Sequence, residues 1–152
     1  MTKKKININN NSLIEQFGMK PYKLRVKEKY MSKRQLNHFK KILKSWKEQL
    51  EKEAEKTVNN MQKDSNSLAD PNDRATQESE FGLELRTRDR ERKLIRKIQT
   101  SLIKIDDGTF GYCEETGEQI GLQRLEARPV ASLTLEAQER REITEKQFKD
   151  SR

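Results

Sequence analysis

A chain of 152 residues with 31% apolar and 38% charged residues holds one modest domain, with too little apolar material for two full domains or a thick core. A single cysteine, Cys113, excludes an internal disulfide, and with His38 as the only histidine it leaves no ligand set for structural zinc. The net charge of +8 is segregated: residues 19–61 carry +8 and 86–105 carry +6, whereas 62–85 and 106–152 carry −4 each, a poor pattern for wrapping a phosphate backbone along the whole chain.

Residues 1–17, rich in Lys and Asn and without apolar periodicity, are expected to form a disordered leader. Residues 18–31 form the N-terminal segment of a globular part. No run of about 18 apolar residues exists and the start shows no signal core, so a cytoplasmic chain is expected.

At Ser32 the run Ser32-Lys33-Arg34-Gln35 offers a capping box, in which the serine hydroxyl takes a free backbone N–H and the glutamine answers at N3. Leu36, Phe39, Leu43, Trp46, Leu50, Ala54, Thr57 and Met61 then recur at intervals of three and four, the spacing of a coiled-coil seam. At 1.5 Å per residue, Ser32 to Met61 spans about 45 Å. The pattern breaks from Lys63 to Ala75 into turn chemistry. Asp70 is placed as an N-cap, Pro71 at N1, and Asp73 at N3 where a carboxylate meets the positive end of the helix. Phe81, Leu85, Leu94, Ile95, Ile98, Leu102 and Ile105 make a second stripe. Two helices with one apolar stripe each bury them by packing antiparallel, so residues 32–107 are expected to form a coiled-coil hairpin with its tip near 64–75.

Asp106-Asp107-Gly108 closes the second arm, and Gly111, Gly117 and Gly121 punctuate a compact knob over 108–134, built around Phe110, Tyr112, Ile120 and Leu122. Thr134 is placed as the N-cap of a last helix over 135–149, with Ile143 and Phe148 available to bury against the knob. The fold class expected is mainly α: a long antiparallel coiled-coil hairpin, a small zinc-finger-like knob without zinc, and a C-terminal helix.

Cys113-Glu114-Glu115-Thr116, followed after seventeen residues by Thr134-Leu135-Glu136-Ala137, reproduces the spacing of a four-cysteine zinc site. Thr116, Thr134 and Ala137 cannot supply thiolates, and one sulfur cannot hold tetrahedral zinc. The neighbours Gly111-Tyr112-Cys113-Glu114, Ile120-Gly121 and Arg124-Leu125-Glu126-Ala127-Arg128-Pro129 closely resemble the finger of DksA proteins. So do Pro21-Tyr22, Tyr30-Met31, Gln35-Leu36 with His38-Phe39, and Asp70-Pro71-Asn72-Asp73-Arg74-Ala75. The most specific run is Leu83-Glu84-Leu85-Arg86 continuing through Arg88-Asp89-Arg90-Glu91-Arg92-Lys93-Leu94-Ile95. The resemblance covers roughly Pro21 to Gln147, and the missing cysteines are similar to those of the zinc-independent members of that family.

The resemblance implies a monomeric transcription regulator that binds RNA polymerase at the secondary channel and its rim. With the alarmone ppGpp it would destabilise promoter open complexes, repressing ribosomal RNA promoters and activating others. Asp70, Asp73 and Ala75 match the family's tip positions, and Leu94, Lys97 and Arg128 match positions that contact ppGpp. A further basic position of the family is Gln138 in this chain. No zinc, no membrane, no strong sequence-specific DNA binding and no catalysis are expected, since no nucleophile, base and oxyanion set is present. Read from the residues alone, Asp70 and Asp73 also serve as a cap and a dipole partner, Lys97 and Arg128 as solvated surface, Cys113 as a small knob residue, and His38 and Trp46 as packing. The basic arms leave a second reading open, a coiled-coil nucleic-acid-binding protein.

Overall fold

The computed structural model describes residues 13–64 and 71–151. They form five helices: α1, Leu13–Gln16; α2, Lys33–Asp64; α3, Pro71–Asp107; α4, Leu122–Ala127; and α5, Leu135–Asp150. Among the described residues no strand forms, and the only strand-like pairing is an isolated antiparallel bridge between Tyr112 and Gln119. The chain divides into two compact units, one holding the described residues of Met1–Ile42 and Gly111–Arg152, the other Leu43–Phe110.

The second unit is a helical hairpin in which α2 and α3 pack together. Along α2 the three-four spacing places Leu43 and Leu50 in the buried seam, at 0% and 7% exposure, with Trp46, Ala54, Thr57 and Met61 partly covered. Along α3, Ile98 and Ile105 are buried and Leu94, Ile95 and Leu102 partly covered. Packing thins toward the far end: Phe81 is 46% and Leu85 43% exposed. The arginine-rich run separates these two residues from the aliphatic cluster, so the stripe is discontinuous where the charges fall. Pro71 is the first residue of α3, where its missing N–H costs no hydrogen bond, and Asp73 stands in the first turn. Asp70 lies outside the described residues.

Ser32 begins α2 as expected: its carbonyl accepts from Leu36 N–H at 2.9 Å, and its hydroxyl accepts from Gln35 N–H at 3.4 Å. The reciprocal bond differs from a capping box. Gln35 Oε1 accepts from the N–H of Met31, at 2.7 Å, one residue before the cap. Met31 sits at φ 55°, and its neighbour Tyr30 turns inward to donate its hydroxyl to Gly111 O at 2.7 Å and accept from Gly121 N–H at 3.0 Å. Tyr30 thereby ties the segment before α2 to the knob.

The first unit departs from the sequence expectation at both ends. Residues 13–17 were expected within a disordered leader, yet α1 forms there, Ile14 is 1% exposed, and α1 packs on α4, whose Leu125 is fully buried. A lone isoleucine supplies enough apolar surface to dock one turn, and Gly18 at φ 64° closes it, donating to Glu15 O at 2.9 Å. The expectation for residues 1–12 lies outside the described residues. In α5, Ile143 and Phe148 do not bury against the knob; they are 55% and 71% exposed. Only the first turn is held, through Ala137 at 0% exposure beside Leu133 at 3%. The remaining apolar residues are too few and too scattered to make a stripe.

Candidate functional site

The knob is a short looped hairpin. Cys113 N–H donates to Glu118 O at 2.8 Å, Gly117 N–H to Cys113 O at 2.9 Å and Ile120 N–H to Gly111 O at 2.9 Å, while Glu114 N–H donates to Ser132 O at 2.9 Å. Gly111 stands at φ 90°, a conformation that L side chains rarely adopt, and a Cβ there would lie 2.8 Å from the Met31 Sδ, so the turn favours glycine.

The four positions with zinc-site spacing converge in this turn. Cys113 is 3% exposed. The Thr134 hydroxyl faces its sulfur at 3.9 Å and also caps α5 by accepting from Ala137 N–H at 3.3 Å. Burial pushes the Cys113 thiol up, but hydrogen bonds from the Thr116 hydroxyl and from the backbone of Thr134, Thr116 and Glu115 outweigh it and hold the thiol at about 6. Ala137 fills the fourth position with a buried methyl group. One thiol, two hydroxyls and a methyl do not make a tetrahedral zinc ligand set, and the described residues contain no group of three or more His, Cys, Asp or Glu able to hold a metal. Hydrogen bonds and a helix cap close the turn that zinc closes in a four-cysteine site.

Around α4 the polar groups are organised by a pairing that sequence reasoning did not foresee. Glu126 Oε1 accepts from Tyr22 N–H at 2.6 Å and lies 4.0 Å from His38 Nε2. Burial pulls the His38 pKa down, while Glu126 pushes it up. His38 also packs edge-on against Tyr22 and Phe39, with ring centroids 5.3 and 5.4 Å away. Tyr22 and Glu126 both lie in runs quoted for the resemblance, but their pairing spans more than a hundred residues and has no signal in local spacing.

The positions expected from the resemblance to form the tip and to meet the effector fall in both units. In the hairpin, Asp73 and Ala75 are exposed in the first turns of α3, and Leu94, partly covered, stands one turn before the exposed Lys97, on one side of the helix. In the first unit, Arg128 is exposed at the C-terminal end of α4, its N–H donating to Arg124 O at 2.8 Å. Gln138 is partly covered, and its amide donates to Glu142 Oε1 at 2.9 Å, so the group in that basic position is turned along its own helix. Arg128 and Arg124 line a cleft of about 780 Å³ beside α4, with Leu24, Ile120, Leu122 and Gln35.

Two family models match the chain one after the other: "DnaK suppressor protein DksA, N-terminal domain" over residues 35–105, and "Prokaryotic dksA/traR C4-type zinc finger" over 108–142. The chain is 52% identical to the RNA polymerase-binding transcription factor DksA of Haemophilus influenzae, over 90% of this chain and 94% of that protein. The chain belongs to the DksA family. The DksA of Escherichia coli K12 is 50% identical over 90% of this chain and 91% of its own length. The solved structure of transcription factor DksA2 from Pseudomonas aeruginosa superposes with a TM-score of 0.70 at 37% identity, covering 77% of this chain and 90% of that one. This DksA-family chain matches a C4-type finger while holding one of its four cysteines. Among its described residues no helix is long and apolar enough to cross a membrane.

Proposed function

We propose that this protein is a non-enzymatic, cytoplasmic transcription regulator that binds RNA polymerase as a monomer. In this reading the hairpin enters the secondary channel and ppGpp acts as co-effector. The observation that carries it is the joint presence of half-identity, over nine-tenths of the chain, to relatives named RNA polymerase-binding transcription factors, and of a hairpin whose second helix opens with an exposed carboxylate, Asp73.

A projecting acid in the first turn of α3 is favoured locally by the helix dipole and still presents its charge outward. In a channel lined by nucleic acid and catalytic metal, that charge repels phosphate and attracts cations, so it perturbs a marginal promoter complex without making or breaking a bond. Asp70 and Ala75 complete the tip in this reading. Leu94, Lys97 and Arg128 contact the alarmone, with two cations suited to its phosphates. Gln138, bonded to Glu142, supplies no charge there, which predicts a weaker ppGpp response than a basic residue gives.

The test is transcription from a ribosomal RNA promoter with purified polymerase, with and without ppGpp. The parent protein is expected to lower transcript yield, more so with ppGpp. Asp73→Asn is expected to bind polymerase with unchanged affinity and lose most of the effect. Equal repression by the two proteins would remove the tip from the mechanism.

A further inference from the structure

Between α1 and α2 the segment Lys20 to Lys29 carries five exposed cations, Lys20, Lys23, Arg25, Lys27 and Lys29, and a single carboxylate, Glu28. Two aliphatic side chains alternate with the cations and are turned into solvent: Leu24 is 63% exposed and Val26 94%. A small domain short of apolar residues gains nothing in stability from leaving these two outside.

The loop holds its shape. Glu28 turns its carboxylate inward, where Oε1 accepts from the hydroxyls of Tyr22 and Ser32 and Oε2 accepts from Arg25 N–H at 3.1 Å. Glu28 N–H donates to Arg25 O at 3.1 Å, closing a turn with Val26 and Lys27 at its apex, and Lys27 is held at φ 63°, a conformation that non-glycine residues rarely adopt. The only negative charge of the segment is therefore consumed inside it, and the outward face is an aliphatic knob in a basic collar.

Leu24 also lines the cleft beside α4. Arg124 and Arg128 line the same cleft and add to its positive charge.

We propose that the Lys20–Lys29 loop and the adjoining cleft form a docking surface for an acidic patch of RNA polymerase. The occupant carries acidic groups to meet the loop's cations and an apolar side chain to cover Leu24 and Val26. The inference rests on the polymerase-binding reading and adds a contact outside the hairpin. Charge complementarity requires acidic groups on the partner, and the exposed aliphatics favour a protein over a nucleic acid, whose phosphates offer nothing to Val26.

The test measures binding kinetics of the full chain with polymerase holoenzyme. The triple variant Lys23→Ala, Arg25→Ala, Lys27→Ala is expected to associate about tenfold more slowly at low salt, the difference shrinking as salt rises. Val26→Ser is expected to dissociate about fivefold faster with association unchanged. Both should keep the parent's circular dichroism and melting temperature, because the altered side chains are exposed. Parent-like rates in both variants would overturn the loop's role and leave polymerase binding standing. Failure of the parent to bind polymerase would remove the proposed function and this partner with it. Loop-dependent binding to short duplex DNA or to phosphatidylglycerol vesicles, with polymerase binding unaffected, would replace the protein partner with those ligands.

Discussion

Glu28 accepts hydrogen bonds from residues on both sides of it in sequence, and its acidity records them. Bonds from Ser32, then Tyr22, then the Arg25 backbone hold its carboxyl at about 2, below the ordinary 4.5. A carboxyl whose folded pKa is depressed contributes stability that is complete above the unfolded value and is lost as pH falls through the folded one. The contribution therefore disappears between about 4.5 and about 2. Urea midpoints taken across that window are expected to fall steeply for the parent and less steeply for Glu28→Gln, with the two proteins converging at the acid end. Equal slopes would show that the carboxylate's hydrogen bonds are absent in solution. At this scale the sequence was readable where chemistry is local. Ser32, Thr134 and Pro71 hold the cap and first-turn positions expected of their residue types, because capping is decided within four residues. Glu28, Glu126 and the second bond of Gln35 were not readable, since each depends on a backbone path set by left-handed residues such as Lys27 and Met31.

In the helices, periodicity was a sound guide over long stretches and a poor one over short ones. The α2 seam from Leu36 to Met61 is buried or partly covered throughout, whereas the four-residue α1 and the single packed turn of α5 are shorter than any period can reveal. The stripe of α3 is interrupted in sequence from Arg86 to Arg92 and unequal in energy, because burial requires a partner surface as well as spacing. Ile98 is fully buried and Phe81 is nearly half exposed. Ile98→Ala is expected to cost about 2–5 kcal/mol. Phe81→Ala, which removes a larger side chain, should cost less than about 1.5 kcal/mol, scaled to its partial burial. Chemical denaturation of the two variants checks this; similar losses would mean that the far end of the hairpin is packed as tightly as the near end.

At the scale of the whole molecule, residue types leave one cysteine at the four ligand positions of a C4 finger, and the geometry explains what closes the turn there. Thr134 bridges the Cys113 sulfur and the start of α5, and the Ala137 methyl is fully buried. Purified protein is expected to contain less than about a tenth of an equivalent of zinc, and its unfolding midpoint should not move when a strong chelator is added. One tightly held zinc per chain, or a chelator-dependent midpoint, would show that the finger retains a metal site. The helical class and the hairpin were legible from composition and stripes; the partner came from resemblance, and half-identity to polymerase-binding relatives supports it. The basic loop before α2 escaped sequence reasoning, because five cations among ordinary surface residues look like solubility until Val26 is seen to stand clear of every neighbour.

The uneven packing of the hairpin also divides it into a tightly packed stretch and a loosely packed one. Its aliphatic clamp lies at Leu43, Leu50, Ile98 and Ile105, and Asp73 sits beyond the stretch where Phe81 and Leu85 are only half covered. Bending the hairpin near Phe81 and Leu85 therefore disturbs less buried surface than bending it near Ile98.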